Sequence, residues 1–99
     1  MAFSVLFHPE AELDLAESVA WYEEQRPMLG FSFYEDYLTI RDRLIDNPAV
    51  FPVIFGNVQR ANFKKFPYSI FFEIEQDSVF IYAVFHQKRR PGAWVGRMN

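Results

Sequence analysis

The stretch from Phe66 to Arg90, FPYSIFFEIEQDSVFIYAVFHQKRR, constrains this chain more than any other. Its Phe, Ile, Val and Tyr side chains suit a pleated surface, and Gln76-Asp77 is the natural centre of a hairpin turn. Pairing Glu75 with Ser78 sorts the residues into two faces. One holds Ile74–Val79, Phe72–Ile81, Ile70–Ala83 and Tyr68–Phe85, and is almost wholly apolar. The other holds Glu73–Phe80, Phe71–Tyr82, Ser69–Val84 and Pro67–His86. A slip of one residue would mix the sets, so the pattern predicts its own register. The apolar face must bury against helices, and the other stays at least partly open.

Upstream, Gln59 to Lys65 alternates in the same sense. A tight turn at Lys65-Phe66 pairs Phe63 with Tyr68 and Ala61 with Ile70 on the apolar face. It sets Arg60 opposite Phe71, Asn62 opposite Ser69 and Lys64 opposite Pro67 on the open one. Strands are therefore predicted at 59–65, 66–75 and 78–87. The tail from Lys88 to Asn99 continues a basic edge and carries Trp94.

The first half reads as one strand and two helices. Ala2 to Phe7 is a short apolar strand. Pro9 suits the first turn of a helix, where Glu10, Glu12 and Asp14 favour the N-terminal dipole. Ala11, Leu15, Val19 and Tyr22 form a stripe at helical spacing, and Gln25-Arg26-Pro27 ends it. A second helix runs from about Leu29 to Asp46, with Phe33, Tyr37, Ile40 and Leu44 on one face and Asn47-Pro48 as the stop. So short a joint implies an antiparallel hairpin of helices, with Gly30 as a flexible position near the joint. Phe51 to Val58 reads as a loop or irregular strand.

With 99 residues, 51% of them hydrophobic, a single domain with a self-sufficient core is expected. The absence of cysteine excludes disulfides and thiolate chemistry, which suits a reducing cytoplasm. No basic leader precedes Pro9, so no signal peptide is expected. The longest apolar run, Val79 to Phe85, is far short of the ~20 residues a membrane helix needs. Residues 1–50 hold ten acids and three bases, residues 51–99 three acids and seven bases, so −7 and +4 make up the net −3. That asymmetry reads either as ordinary solvated faces or as a basic groove for an anionic partner.

Only His8 and His86 offer imidazoles, in no metal-ligand spacing, so neither metal nor other cofactor is expected. The glycines form no phosphate-cradling loop, and no serine sits in a nucleophile elbow. What remains is the open face. Arg60, Lys64, His86, Lys88, Arg89 and Arg90 can neutralise phosphate, and Phe71, Phe80 and Tyr82 offer rings for stacking or a partner. Cleavage of RNA would need a base, an acid and a stabiliser of phosphorane charge; His86 is the candidate for the first role or the second, and Arg60 or Arg89 for the third. Alternatively His86 ends a strand and caps a loop, while Phe71 and Phe80 are covered by a partner or by the tail.

The order strand, two helices, three strands resembles the RelE/ParE superfamily of small bacterial toxins. The residues that carry the match are His8-Pro9-Glu10-Ala11-Glu12, Trp21-Tyr22-Glu23-Glu24, Phe66-Pro67-Tyr68-Ser69-Ile70-Phe71 and Ala83-Val84-Phe85-His86-Gln87-Lys88-Arg89-Arg90. The His-Gln-basic-basic ending is similar to the ParE-like, plasmid stabilisation branch. The resemblance implies an α+β fold: a strand, an antiparallel two-helix hairpin, then a three-stranded antiparallel meander packed on the helices. It implies a cytoplasmic toxin held in a hetero-oligomer by a cognate antitoxin, with DNA gyrase as the target. The RelE-like alternative is an mRNA endoribonuclease acting on the ribosome, and a third reading is a non-toxic interaction domain.

Overall fold

The computed structural model describes residues 2–90 and 92–98. Pro91 and Asn99, both in the tail expected to extend the basic edge, lie outside the described residues, as does Met1.

Two helices form where the apolar stripes place them, α1 at Pro9–Gln25 and α2 at Leu29–Asp46. The N-terminus of α1 is capped by His8, whose Nδ1 accepts from the Glu10 amide at 3.1 Å. Glu10 and Glu12 occupy the first turn, favourably against the dipole. On α2, Phe33, Tyr37, Ile40 and Leu44 are all buried. The joint is not flexible at Gly30, as the sequence suggested. Gly30 is buried where α2 meets α1, and a methyl group there would lie 2.9 Å from Glu23 Cβ and closer still to the Val19 carbonyl oxygen. Only glycine lets the backbones approach this far. The Glu23 carboxylate fastens the turn by accepting from the Met28 amide at 2.9 Å and the Gly30 amide at 3.0 Å. Met28 thereby holds a left-handed conformation, φ 74°, that a non-glycine residue rarely adopts.

The strands form one mixed sheet. β1 is Ser4–Phe7, β2 Val53–Phe55, β3 Val58–Asn62, β4 Tyr68–Glu75 and β5 Ser78–His86, in spatial order β1-β5-β4-β3-β2. The meander thus gains two flanking strands: β1 runs parallel to β5, and β2 antiparallel to β3. β3 and β4 are shorter than their alternation suggested, because the turn between them takes up residues 63–67, and β5 ends one residue sooner than expected, at His86. Between β3 and β4 the expected pairs hold, with Arg60 opposite Phe71, Ala61 opposite Ile70 and Asn62 opposite Ser69.

Between β4 and β5 the expected register holds from Glu75–Ser78 to Phe72–Ile81 and then shifts by one residue. Beyond this point Phe71 faces Ala83, Ile70 faces Val84, Ser69 faces Phe85 and Tyr68 faces His86. Tyr82 is the extra residue of a β-bulge. The shift moves Val84 onto the helix side, and Ala83 and Phe85, expected there, onto the opposite face. The helix-side core joins Phe33, Ile40, Leu44, Ile70, Phe72, Val79, Ile81 and Val84, among others.

Candidate functional site

The sheet face turned away from the helices is not left bare. Residues 92–98 fold back over it, and Trp94, only 4% exposed, packs in a second cluster with Val58, Tyr82, Ala83 and Phe85. The Trp94 ring stacks on Phe71 with centroids 5.7 Å apart, and Phe55 of β2 meets it edge-on at 5.8 Å. Two side chains, one from each end of the chain, hold this tail in place. Arg97 donates to the Asp14 carboxylate from Nη1 at 2.6 Å and from Nη2 at 3.2 Å, and to the Tyr82 carbonyl at 3.0 Å. Asp14 Oδ2 also accepts from the Val84 amide at 3.1 Å, where β5 runs past the end of β1. One carboxylate therefore satisfies both a free sheet edge and the guanidinium that fastens the tail. The geometry is the bidentate fork that makes Arg–carboxylate pairs specific.

Beside the tail the sheet forms a groove of about 620 Å³. Arg60 and Asn62 of β3 with Ser69 and Phe71 of β4 line the sheet side, Ile54, Phe55, Trp94 and Val95 line the flanks, and His86, Gln87, Arg89 and Arg90 stand where β5 leaves the sheet. Ser69 Oγ donates to Asn62 Oδ1 at 2.7 Å, leaving the Asn62 amide NH2 as a donor. The Arg89 guanidinium lies over the Phe85 ring, 3.8 Å from its centroid. That cation–π contact fixes its direction while keeping its charge. Among the described residues no acid pairs with Arg60, Arg89 or Arg90, and no carboxylate lines the groove. The same residues hold no group of three His, Cys, Asp or Glu side chains that a metal ion would need.

Of the residues singled out in the sequence, the groove brings together Arg60, Phe71, His86, Arg89 and Arg90. Lys64 belongs to the β3–β4 turn, where its amide donates to the buried Asp36 carboxylate at 3.2 Å. Lys88 is exposed outside the groove, its amide donating to His86 Nδ1 at 3.0 Å. Tyr82 is buried rather than open to a partner. Its hydroxyl donates to Glu73 Oε1 at 2.7 Å, and burial, then this bond to a carboxylate, push its pKa up to about 12. Phe80 packs between Tyr82, centroids 5.1 Å apart, and His8, at 6.5 Å, away from the groove. Sequence reasoning missed the groove's flank, Ile54 and Phe55, because Pro52 and Gly56 break the strand pattern there. It also missed the Asp14–Arg97 pair, which carries no local signal.

His86 is the hinge of the chemistry. It stands at the end of β5 with its ring edge-on to Tyr68, centroids 5.2 Å apart. Its Nδ1 lone pair is engaged by the Lys88 amide, so the neutral ring carries its proton on Nε2. Among the groove's lining residues it is the one imidazole.

A helical hairpin on one face of a mixed sheet and a tail-flanked cationic groove on the other define a small α+β domain. The chain belongs to the ParE toxin family of type II toxin–antitoxin systems, whose family model matches residues 5–91. The fold is similar to that of a solved chain from the chromosomal ParDE toxin–antitoxin system of P. aeruginosa, with TM-score 0.74 and 16% identity over 86% of this chain and 96% of that one. A search of curated proteins found no match.

Proposed function

We propose that this ParE-type toxin acts by inhibiting DNA gyrase, is neutralised by a cognate antitoxin in a hetero-oligomer, and presents the cationic groove to its target. Family membership supports the toxin role. The observation that favours a binding role over RNA cleavage is the state of His86. A general base needs a free lone pair at the proton it takes. In His86 Nδ1 already accepts from the Lys88 amide and Nε2 carries the proton. No second proton-transfer side chain lines the groove among the described residues. What the groove offers is three guanidiniums that no acid pairs among the described residues, which suit steering and holding an anionic surface.

The test is His86→Gln, which keeps polarity and size but removes proton exchange. On induction of the toxin without antitoxin, colony survival should stay close to that of the wild type. A nuclease would lose roughly 10²–10⁴-fold in its chemical step. A folded, fully expressed and non-toxic His86→Gln protein, with RNA fragments seen only for the wild type, would overturn the proposal. Charge reversal at Arg89 and Arg90 is the control, and should abolish toxicity.

A further inference from the structure

The side chains of the groove beside the tail are rich in donors and poor in free acceptors. Arg60, Arg89 and Arg90 line it, and among the described residues no carboxylate does. Two of its neutral side chains have an acceptor atom already engaged: Asn62 Oδ1 by the Ser69 hydroxyl at 2.7 Å, and His86 Nδ1 by the Lys88 amide at 3.0 Å. What each still offers is a donor, the Asn62 NH2 and the His86 Nε2–H. This concentration of positive charge sits in a chain whose net charge is −3.

One flank of the same groove is apolar and open. Adjacent residues of a regular strand point to opposite faces, yet Ile54 and Phe55 of β2 both line the groove. The irregularity between Val53 and Phe55, where β2 slips against β3, accounts for this. Phe55 is 58% exposed, and its contact with the buried Trp94 ring holds it in position. The groove therefore sets an open aromatic ring beside a row of guanidiniums.

We propose that this groove binds a single strand of DNA, with its phosphates on the guanidiniums and a base stacked on Phe55. The choice of DNA rests on the functional reading above, since gyrase acts on DNA. A phosphodiester backbone carries acceptors only, with one negative charge per nucleotide, so it meets this lining without a donor of its own left unpaired. An acidic peptide fits less well. Its backbone brings an N–H at every residue but proline, and the side chains here have few free acceptors to receive them. Nor does β2 invite strand pairing, because Pro52 and the irregular ladder blunt that edge. A duplex fits less well too, because its bases are stacked on one another and withheld from Phe55.

The experiment measures binding of full-length toxin to a short fluorescent oligothymidylate by anisotropy, across a series of salt concentrations. Wild-type toxin should bind, with log Kd rising against log salt at a slope of roughly 2, as three phosphate contacts on a single strand give. Arg60→Gln and Arg89→Gln should each lower that slope by about 0.7. Phe55→Ala should weaken binding by roughly 5- to 100-fold, the range for one lost base–aromatic stack. Arg26→Gln, at an exposed position where α1 ends, should change neither affinity nor slope. Circular dichroism verifies that each variant is folded. Absence of binding, equal losses for Arg26→Gln and Arg60→Gln, or a Phe55→Ala affinity equal to wild type would overturn the assignment. So would a polyglutamate peptide that competes as well as the DNA, or a clear preference for the matching RNA strand. A supercoiling assay on the same toxin keeps the two readings apart. Toxin that inhibits gyrase but binds no strand overturns this site alone, whereas toxin that binds the strand but leaves gyrase active upholds the site and overturns the functional reading.

Discussion

Replacing Gly30 with alanine tests the packing on which the helical layer depends. In an ordinary helix the change stabilises by about 1 kcal/mol, because alanine loses less backbone entropy. Here the added methyl meets the Val19 carbonyl oxygen and lies 2.9 Å from Glu23 Cβ, and neither is the end of a flexible side chain. Relief requires α2 to move away from α1, at an overpacking cost of about 1–3 kcal/mol. The same movement stretches the Glu23 bonds to the Met28 and Gly30 amides, now 2.9 and 3.0 Å, each of the charge-assisted kind worth about 1.5–3 kcal/mol. The net expectation is a loss of about 2 kcal/mol, which for a domain of this size lowers the melting temperature by roughly 8–16 °C. Thermal unfolding followed by circular dichroism measures it. An alanine variant as stable as the wild type, or more stable, would show that Gly30 is a tolerant joint and that the close helix approach is wrong.

Other changes probe the rest of the scaffold. Asp36→Ala removes a buried carboxylate that accepts from the amides of Lys64, Lys65 and Phe66 at 3.2, 2.7 and 3.2 Å; urea unfolding should show a loss of about 2–4 kcal/mol. Phe72→Ala empties a site with no exposure and should cost about 3–5 kcal/mol by the same assay. Tyr37 and Tyr82 are held near pKa 12, against 10 in the unfolded chain. The folded state therefore binds more protons between these values, and stability should be intact below pH 10 and fall as pH rises toward 12. Thermal melts from pH 9 to 12 read this, and Tyr82→Phe should lessen the fall.

Much of this architecture is legible in the sequence, and the places where it is not share a cause. The helices are readable because Phe33, Tyr37, Ile40 and Leu44 repeat at helical spacing between an Arg26-Pro27 joint and an Asn47-Pro48 stop. The β4–β5 register is readable as far as Phe72–Ile81, where apolar and polar residues alternate. It fails at Tyr82 because the run Tyr82-Ala83-Val84-Phe85 is apolar at every position. Both of its faces are buried, one under the helices and one under the tail, so hydrophobicity does not choose between registers. Arg60, Asn62, Ser69, Phe71, His86, Arg89 and Arg90 of the groove were visible as members of one open face. The tail across that face was not, because it depends on Arg97 meeting Asp14 across nearly the whole chain. Gly30 misled because a glycine near a joint reads as freedom, whereas its neighbours reveal confinement.

Purified toxin added to a DNA gyrase supercoiling reaction puts the proposed activity to its most direct test. Wild-type protein should inhibit supercoiling, addition of the antitoxin should relieve the inhibition, and the His86→Gln variant should inhibit comparably. Reversal of charge at Arg89 and Arg90 should abolish the effect. Supercoiling that proceeds unchanged at saturating toxin, while the same preparation cleaves messenger RNA on ribosomes in a manner dependent on His86, would contradict it.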